Sequence, residues 1–188
     1  MDIQGNPHHL IMGELTDFLT GKTLPDTHDE RYRQKIARWL VENSGFSKQN
    51  ISNNIPLTIM AGEYKAALKI DFLIFFQNKY IMMIKYAPGS LVTRRLSTLA
   101  LSRLVCEYQI PYAVITNGEQ AEIIDGDSGK LIAQSLDNLP DKKTVIQHMS
   151  GFSFKPIGKK VFDQASRIAY ACEIDGACPC DTDVCVLD

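Results

Sequence analysis

Ile70-Asp71-Phe72-Leu73-Ile74-Phe75-Phe76-Gln77-Asn78-Lys79-Tyr80-Ile81-Met82-Met83-Ile84-Lys85-Tyr86 is the stretch that decides the fold. Ala67 to Phe76 is dense in Ile, Leu and Phe, the composition of a strand buried on both faces. Gln77-Asn78-Lys79 reads as a hairpin turn and Tyr80 to Tyr86 as the returning strand. A carboxylate, Asp71, interrupts the apolar run, and placing it there is costly unless it has a partner or a metal. It is either a strand-end aspartate bonded to backbone or paired with Lys69, or a metal ligand at the mouth of a cleft. On the return strand, positions 81, 83 and 85 share a face. If that is also Asp71's face, an acid and the Lys85 amine converge; otherwise Lys85 snorkels from the strand end.

Upstream lies a helix over Asp29 to Asn43. Thr27 and Glu30 form a capping-box pattern, Tyr32, Ile36 and Leu40 share one face beside Trp39, and Gly45 is the stop. Ile51 to Ile59 reads as a strand with Pro56 at an edge or bulge. Further upstream, Leu10 to Leu19 is expected to form a short helix. Downstream, Ala87 to Ser90 is a loop. A second amphipathic helix is expected over Leu91 to Tyr108, with Leu96, Leu99, Ala100, Leu104 and Tyr108 in period. Strands follow at Ile110 to Thr116, Ala121 to Asp125 and Lys130 to Ala133, then helices at Asp141 to Met149 and Gly158 to Ala171. The order predicts an α/β fold with a mixed central sheet flanked by helices. It divides the chain into a lead-in (1–26), a core (27–135) and a helical extension with a cysteine-rich tail (136–188).

The chain has 188 residues, the size of one domain, and a net charge of −2 from 20 basic and 22 acidic residues. That balance excludes holding nucleic acid by bulk charge, so any such site is a local patch. No apolar run approaches the ~20 residues that span a bilayer, which predicts no membrane span. The first residues lack the basic and apolar regions of a signal peptide, so the expected compartment is the cytoplasm, where thiols stay reduced.

A set of short motifs, in order, resembles a known family. They are Asp29-Glu30-Arg31-Tyr32-Arg33-Gln34-Lys35-Ile36-Ala37-Arg38-Trp39-Leu40-Val41-Glu42, Gly45-Phe46, Ile70-Asp71-Phe72-Leu73-Ile74-Phe75, Lys85-Tyr86-Ala87-Pro88 and Val114-Ile115-Thr116-Asn117-Gly118. Over roughly Thr27 to Ala133 the chain resembles the N-terminal domain of type I restriction endonuclease R subunits, a branch of the PD-(D/E)XK nuclease superfamily. The resemblance implies a restriction-endonuclease-like core and Mg²⁺-dependent hydrolysis of DNA phosphodiesters. Glu30 and Asp71 would be the metal ligands, and Lys85 would position water or stabilise charge. It also implies DNA as partner, with restriction-modification subunits or a second copy of the chain.

The family's acid-x-lysine places an acid at position 83, where this sequence has Met83, and a thioether is a poor ligand for a hard cation. Glu107 and Glu63 are the available substitutes. The chain lacks the Gly-x4-Gly-Lys-Ser/Thr loop of the ATP-driven motor that R subunits carry. A rival from another class is a non-catalytic nucleic-acid- or protein-binding module on the same fold. A third reading is a regulatory protein organised around the tail.

Two further groups of residues carry chemistry. Ser90, Thr93, Arg94 and Arg95 open a helix, where free N–H groups and arginines suit phosphate oxygens. With Arg31, Arg33 and Arg38 they could form the local patch; the alternative is a capped helix with solvated arginines. Cys172-x5-Cys178-x-Cys180-x4-Cys185 supplies four thiols for Zn²⁺ or an iron–sulfur cluster. A reduced tail or disulfides are the other readings.

Overall fold

Thr27 starts the first long helix as expected. Its side-chain oxygen accepts the Glu30 N–H at 3.1 Å, and α1 runs over His28–Glu42. Ile36, Ala37 and Leu40 are buried, and burial of each large aliphatic side chain contributes about 1.5–3 kcal/mol. The helix ends where Gly45 takes φ +72° and the buried Phe46 returns its N–H to the Leu40 carbonyl at 3.1 Å. The computed structural model describes residues 10–174 and 185–187.

The Leu10 to Leu19 segment forms no helix. It forms β1 (Glu14–Thr16), paired antiparallel with β2 (Thr23–Pro25). The cause is local: Asp17 Oδ1 accepts the N–H groups of Leu19 (2.7 Å) and Thr20 (3.2 Å), which offers the backbone a turn in place of a helix.

The main sheet contains β3 (Ile51–Ala61), β4 (Tyr64–Phe76), β5 (Lys79–Tyr86), β6 (Tyr112–Thr116), β7 (Ala121–Asp125) and β8 (Leu131–Gln134), hydrogen-bonded in that order. Gln77 and Asn78 both take positive φ, 46° and 67°, as a two-residue hairpin turn between β4 and β5 requires. β3, which carries Pro56, is at the edge of this order. β5 and β6 are parallel and all other pairs antiparallel, so the sheet is mixed. The crossover between β5 and β6 contains α2 (Arg95–Ser102).

The second helix is thus shorter than expected. After Ser102 the chain pairs with a distant segment instead, Gln109 N–H to Lys155 O at 2.9 Å and Ile157 N–H to Glu107 O at 3.1 Å. Its inner face is Ser97, Thr98, Ala100 and Leu101, whereas Leu96, expected inside, is 57% exposed.

Helices cover both faces of the sheet. α1 and α3 (Lys142–His148) help close one apolar cluster, which holds Ile36, Leu40, Phe72, Ile74, Ile84 and Val145. α2 and α4 (Lys159–Ala169) close the other, with Ile70, Leu73, Met83, Leu101 and Ala165. A short tail strand, β9 (Cys185–Leu187), pairs with Lys65–Ala67 of β4. No helix among the described residues is long and apolar enough to cross a membrane.

Candidate functional site

The interior side of β4 changes at Asp71. Ala66, Leu68 and Ile70 belong to the cluster under α2 and α4, but Phe72 and Ile74 belong to the cluster under α1. β3 turns over at the same rung. Ile55 pairs with Ile70 and Asn53 with Phe72, and the intervening Asn54 takes φ +52°. On the other side, the β4–β5 pairing runs only as far as Phe72 and Ile84. Asp71 therefore sits where two central strands part, with its carboxylate in the gap.

That carboxylate is 4% exposed and fully engaged. Oδ1 accepts Arg33 Nε at 2.7 Å. Oδ2 accepts the Tyr86 backbone N–H at 2.8 Å and lies 3.4 Å from Lys85 Nζ. Lys85 also donates to the Lys69 carbonyl at 3.1 Å. Of the two readings of Lys85, the converging one holds: the acid and the amine meet at the open end of the hairpin. The Arg33 guanidinium also lies over the Tyr86 ring, 5.3 Å from its centroid. Tyr86 donates its hydroxyl to Asp29 at 2.9 Å, and burial, with the Asp29 charge, pushes its phenol up.

Glu30 approaches the same corner from the first turn of α1. Its capping role is only half the expected one. The Thr27 N–H goes to the Pro25 carbonyl, and the Glu30 carboxylate instead accepts Gln34 Nε2 at 2.7 Å and lies 3.8 Å from Arg33. Burial raises the Glu30 pKa; the Gln34 hydrogen bond and the Arg33 charge oppose this, and the Asp17 and Asp71 carboxylates add to it. Asp17 is buried and holds Asn53 Nδ2 at 2.9 Å. Asp17, Gln34 and Tyr86 are site neighbours that sequence reading missed. Gln34, one turn after Glu30, was the legible one.

Met83 has no exposed surface and lies in the apolar cluster with Leu73 and Leu101. Neither substitute acid fills its place. Glu63 is exposed in the β3–β4 turn, eight residues from Asp71 and so roughly 26 Å along the strand. Glu107 is exposed beside Tyr108, whose hydroxyl accepts the Tyr80 N–H at 2.6 Å near the far end of β5. Among the described residues, no group of three or more His, Cys, Asp and Glu could hold a metal ion. Glu30 and Asp71 are engaged by the cations Arg33 and Lys85, and the Asp17 and Asp29 carboxylates stand beside them. A hard divalent ion needs free oxygens in near-octahedral geometry. This donor set does not fit Mg²⁺.

Of the residues expected to meet phosphate, Arg95 is bidentate to the Glu122 carboxylate, with both contacts at 2.5 Å. Arg94 reaches the Cys172 carbonyl at 3.3 Å and Glu173 at 3.7 Å. Ser90 accepts the Thr93 hydroxyl with its carbonyl at 3.1 Å. Arg33 is turned to Asp71 and Glu30. Each arginine thus has its own internal acid. Of the expected thiol ligands, Cys172 is half-buried, while Cys178, Cys180 and the Cys185 side chain lie outside the described residues.

Comparisons with curated proteins and with solved structures returned no match. Residues 28–140, more than half of the chain, match the family described as Type I restriction enzyme R protein N terminus (HSDR_N), and the chain belongs to that family.

Proposed function

We propose that residues 27–135 form a PD-(D/E)XK-like core whose cleavage corner is held shut by its own cations. Of the extension, 136–188, the described residues 136–174 pack against it. On this reading the domain is a restriction-endonuclease-like module that associates with DNA, through backbone contacts, inside a cytoplasmic restriction-modification assembly, and it does not hydrolyse the phosphodiester. One observation carries the reading. Both oxygens of Asp71 are engaged within the chain, by Arg33, Tyr86 N–H and Lys85, while the position of the missing acid is the buried Met83. A metal-dependent phosphodiesterase needs those oxygens for the ion that polarises phosphate and lowers the pKa of water. Asp71 and Lys85 are the residues that would favour an active enzyme.

Plasmid nicking in Mg²⁺ or Mn²⁺, with wild type beside Asp71→Ala and Asp71→Asn, separates the two. The reading predicts no cleavage by any of the three. Robust wild-type nicking that disappears in both variants overturns it. Binding to duplex DNA should be insensitive to sequence and weaken steeply with salt.

A further inference from the structure

Away from the Asp71 corner, β6 and the segment after α3 enclose a cavity of about 530 Å³, within the size range of small-ligand sites. Its walls include Tyr112, Phe152, Phe154, His148, Asp125 and Asp127. The rings form a perpendicular set: Tyr112 and Phe152 are 5.4 Å apart at 89°, and Phe152 and Phe154 are 5.9 Å apart at 85°. Phe154 takes φ +44°, a left-handed conformation costly for an aromatic residue and one that clusters at ligand clamps. The Tyr112 hydroxyl is fixed against His148 Nδ1 at 3.1 Å.

The carboxylates of Asp125 and Asp127 line the cavity beside His148. Asp125 Oδ1 receives the Ser128 N–H (2.8 Å) and hydroxyl, and Asp127 Oδ2 receives the Ser153 hydroxyl at 2.8 Å. Each carboxylate keeps one oxygen outside these bonds. No lysine or arginine lines the cavity. Phosphates and carboxylates are repelled by such a lining, whereas an organic cation gains both the carboxylates and the faces of the rings. These rings already meet one cation: Lys79 Nζ, which does not line the cavity, lies 4.5 Å from the Tyr108 centroid and 5.5 Å from that of Phe154.

We propose that this cavity is a binding site for an organic cation, a guanidinium or alkylammonium group, held between the Tyr112–Phe152–Phe154 rings and the Asp125 and Asp127 carboxylates. The chemistry has two sources, a free amine or the arginine or lysine side chain of a partner protein. Of the proposed site, Tyr112, Asp125 and Asp127 lie within the residues matched by the family, and Phe152 and Phe154 beyond them.

Calorimetric titration of the full chain tests it, with agmatine as the free amine, N-acetyl-arginine methylamide as the side chain, and AMP as an anionic control. Saturable binding of one cation per chain is expected, weakened at least tenfold in Asp127→Asn and in Phe152→Leu, with circular dichroism unchanged. Tighter binding of agmatine upholds the site and assigns a free amine; tighter binding of the blocked arginine upholds it and assigns a partner. Saturable binding of neither cation overturns the proposal. So does affinity unchanged in both variants, or equal affinity for AMP.

Discussion

Replacing Arg33 by methionine keeps the stem of the side chain against Tyr86 and removes the guanidinium from Asp71. Two unit charges about 4 Å apart at an effective dielectric of about 20 attract by about 4 kcal/mol. Breaking a buried ion pair costs about 3–5 kcal/mol when the remaining charge is left without a partner. Asp71 is not left so: Lys85 and the Tyr86 N–H remain on Oδ2. Arg33 is itself partly open to solvent, with 19% of its side chain exposed. Arg33→Met should therefore lower stability by about 2–3 kcal/mol. Asp71→Asn should do about the same, since it leaves the guanidinium facing a neutral amide. The double variant should lose about 1.5–2 kcal/mol less than the sum, because the pair is already broken by either change. Urea melts at neutral pH with a constant m-value measure all three. A coupling below about 0.5 kcal/mol would refute the reasoning, since contacts this close couple when they act as a pair.

Three other perturbations probe the surroundings. Burial raises the folded-state pKa of Glu30, so its contribution is present below the unfolded value, 4.5, and is lost as pH rises through the folded value. Glu30→Gln should flatten the pH dependence of stability in that window and leave a protein relatively more stable above it; superimposable wild-type and variant profiles would contradict this. Met83→Glu places a carboxylate in an apolar cluster and should cost about 2–4 kcal/mol, more at pH 8 than at pH 5; unchanged melting at pH 8 would mean that position 83 reaches the polar corner. Gly118 takes φ +86°, and a Cβ there would stand 2.2 Å from Tyr32 Cδ1 and 3.0 Å from its Cβ, so the ring must move and the backbone is strained as well. Gly118→Ala should cost about 2 kcal/mol or more by thermal melting; a loss below about 0.5 kcal/mol would show that the helix shifts freely.

What was legible in the sequence was local. Thr27 and Gly45 bound α1, and Gln77-Asn78 turns β4 into β5, because caps and two-residue turns are set by a few neighbouring residues. The meeting of Asp71 with Lys85 was one of two outcomes that the hairpin left open, and the register settles it. The partner that changes the chemistry, Arg33, is 38 positions from Asp71 in sequence, and no periodicity relates the two. The turnover of β3 and β4 at Asn54 and Asp71 was equally hidden, because it breaks the alternation on which strand reading depends. α2 stops early through pairing with Lys155 and Ile157, a tertiary competition that helix propensity does not register. At the amino end, the apolar spacing of Leu10 to Leu19 pointed to a helix, and the turn-forming carboxylate of Asp17 prevailed.

The central claim is that the cations meeting Asp71 are the chain's own. Titration of Mn²⁺ into the wild-type protein at neutral pH, followed by calorimetry and by manganese electron paramagnetic resonance, addresses it most directly. The account predicts no saturable binding up to millimolar metal, with the free-ion spectrum unreduced. Stoichiometric binding that is abolished by Asp71→Asn and by Glu30→Gln would contradict it.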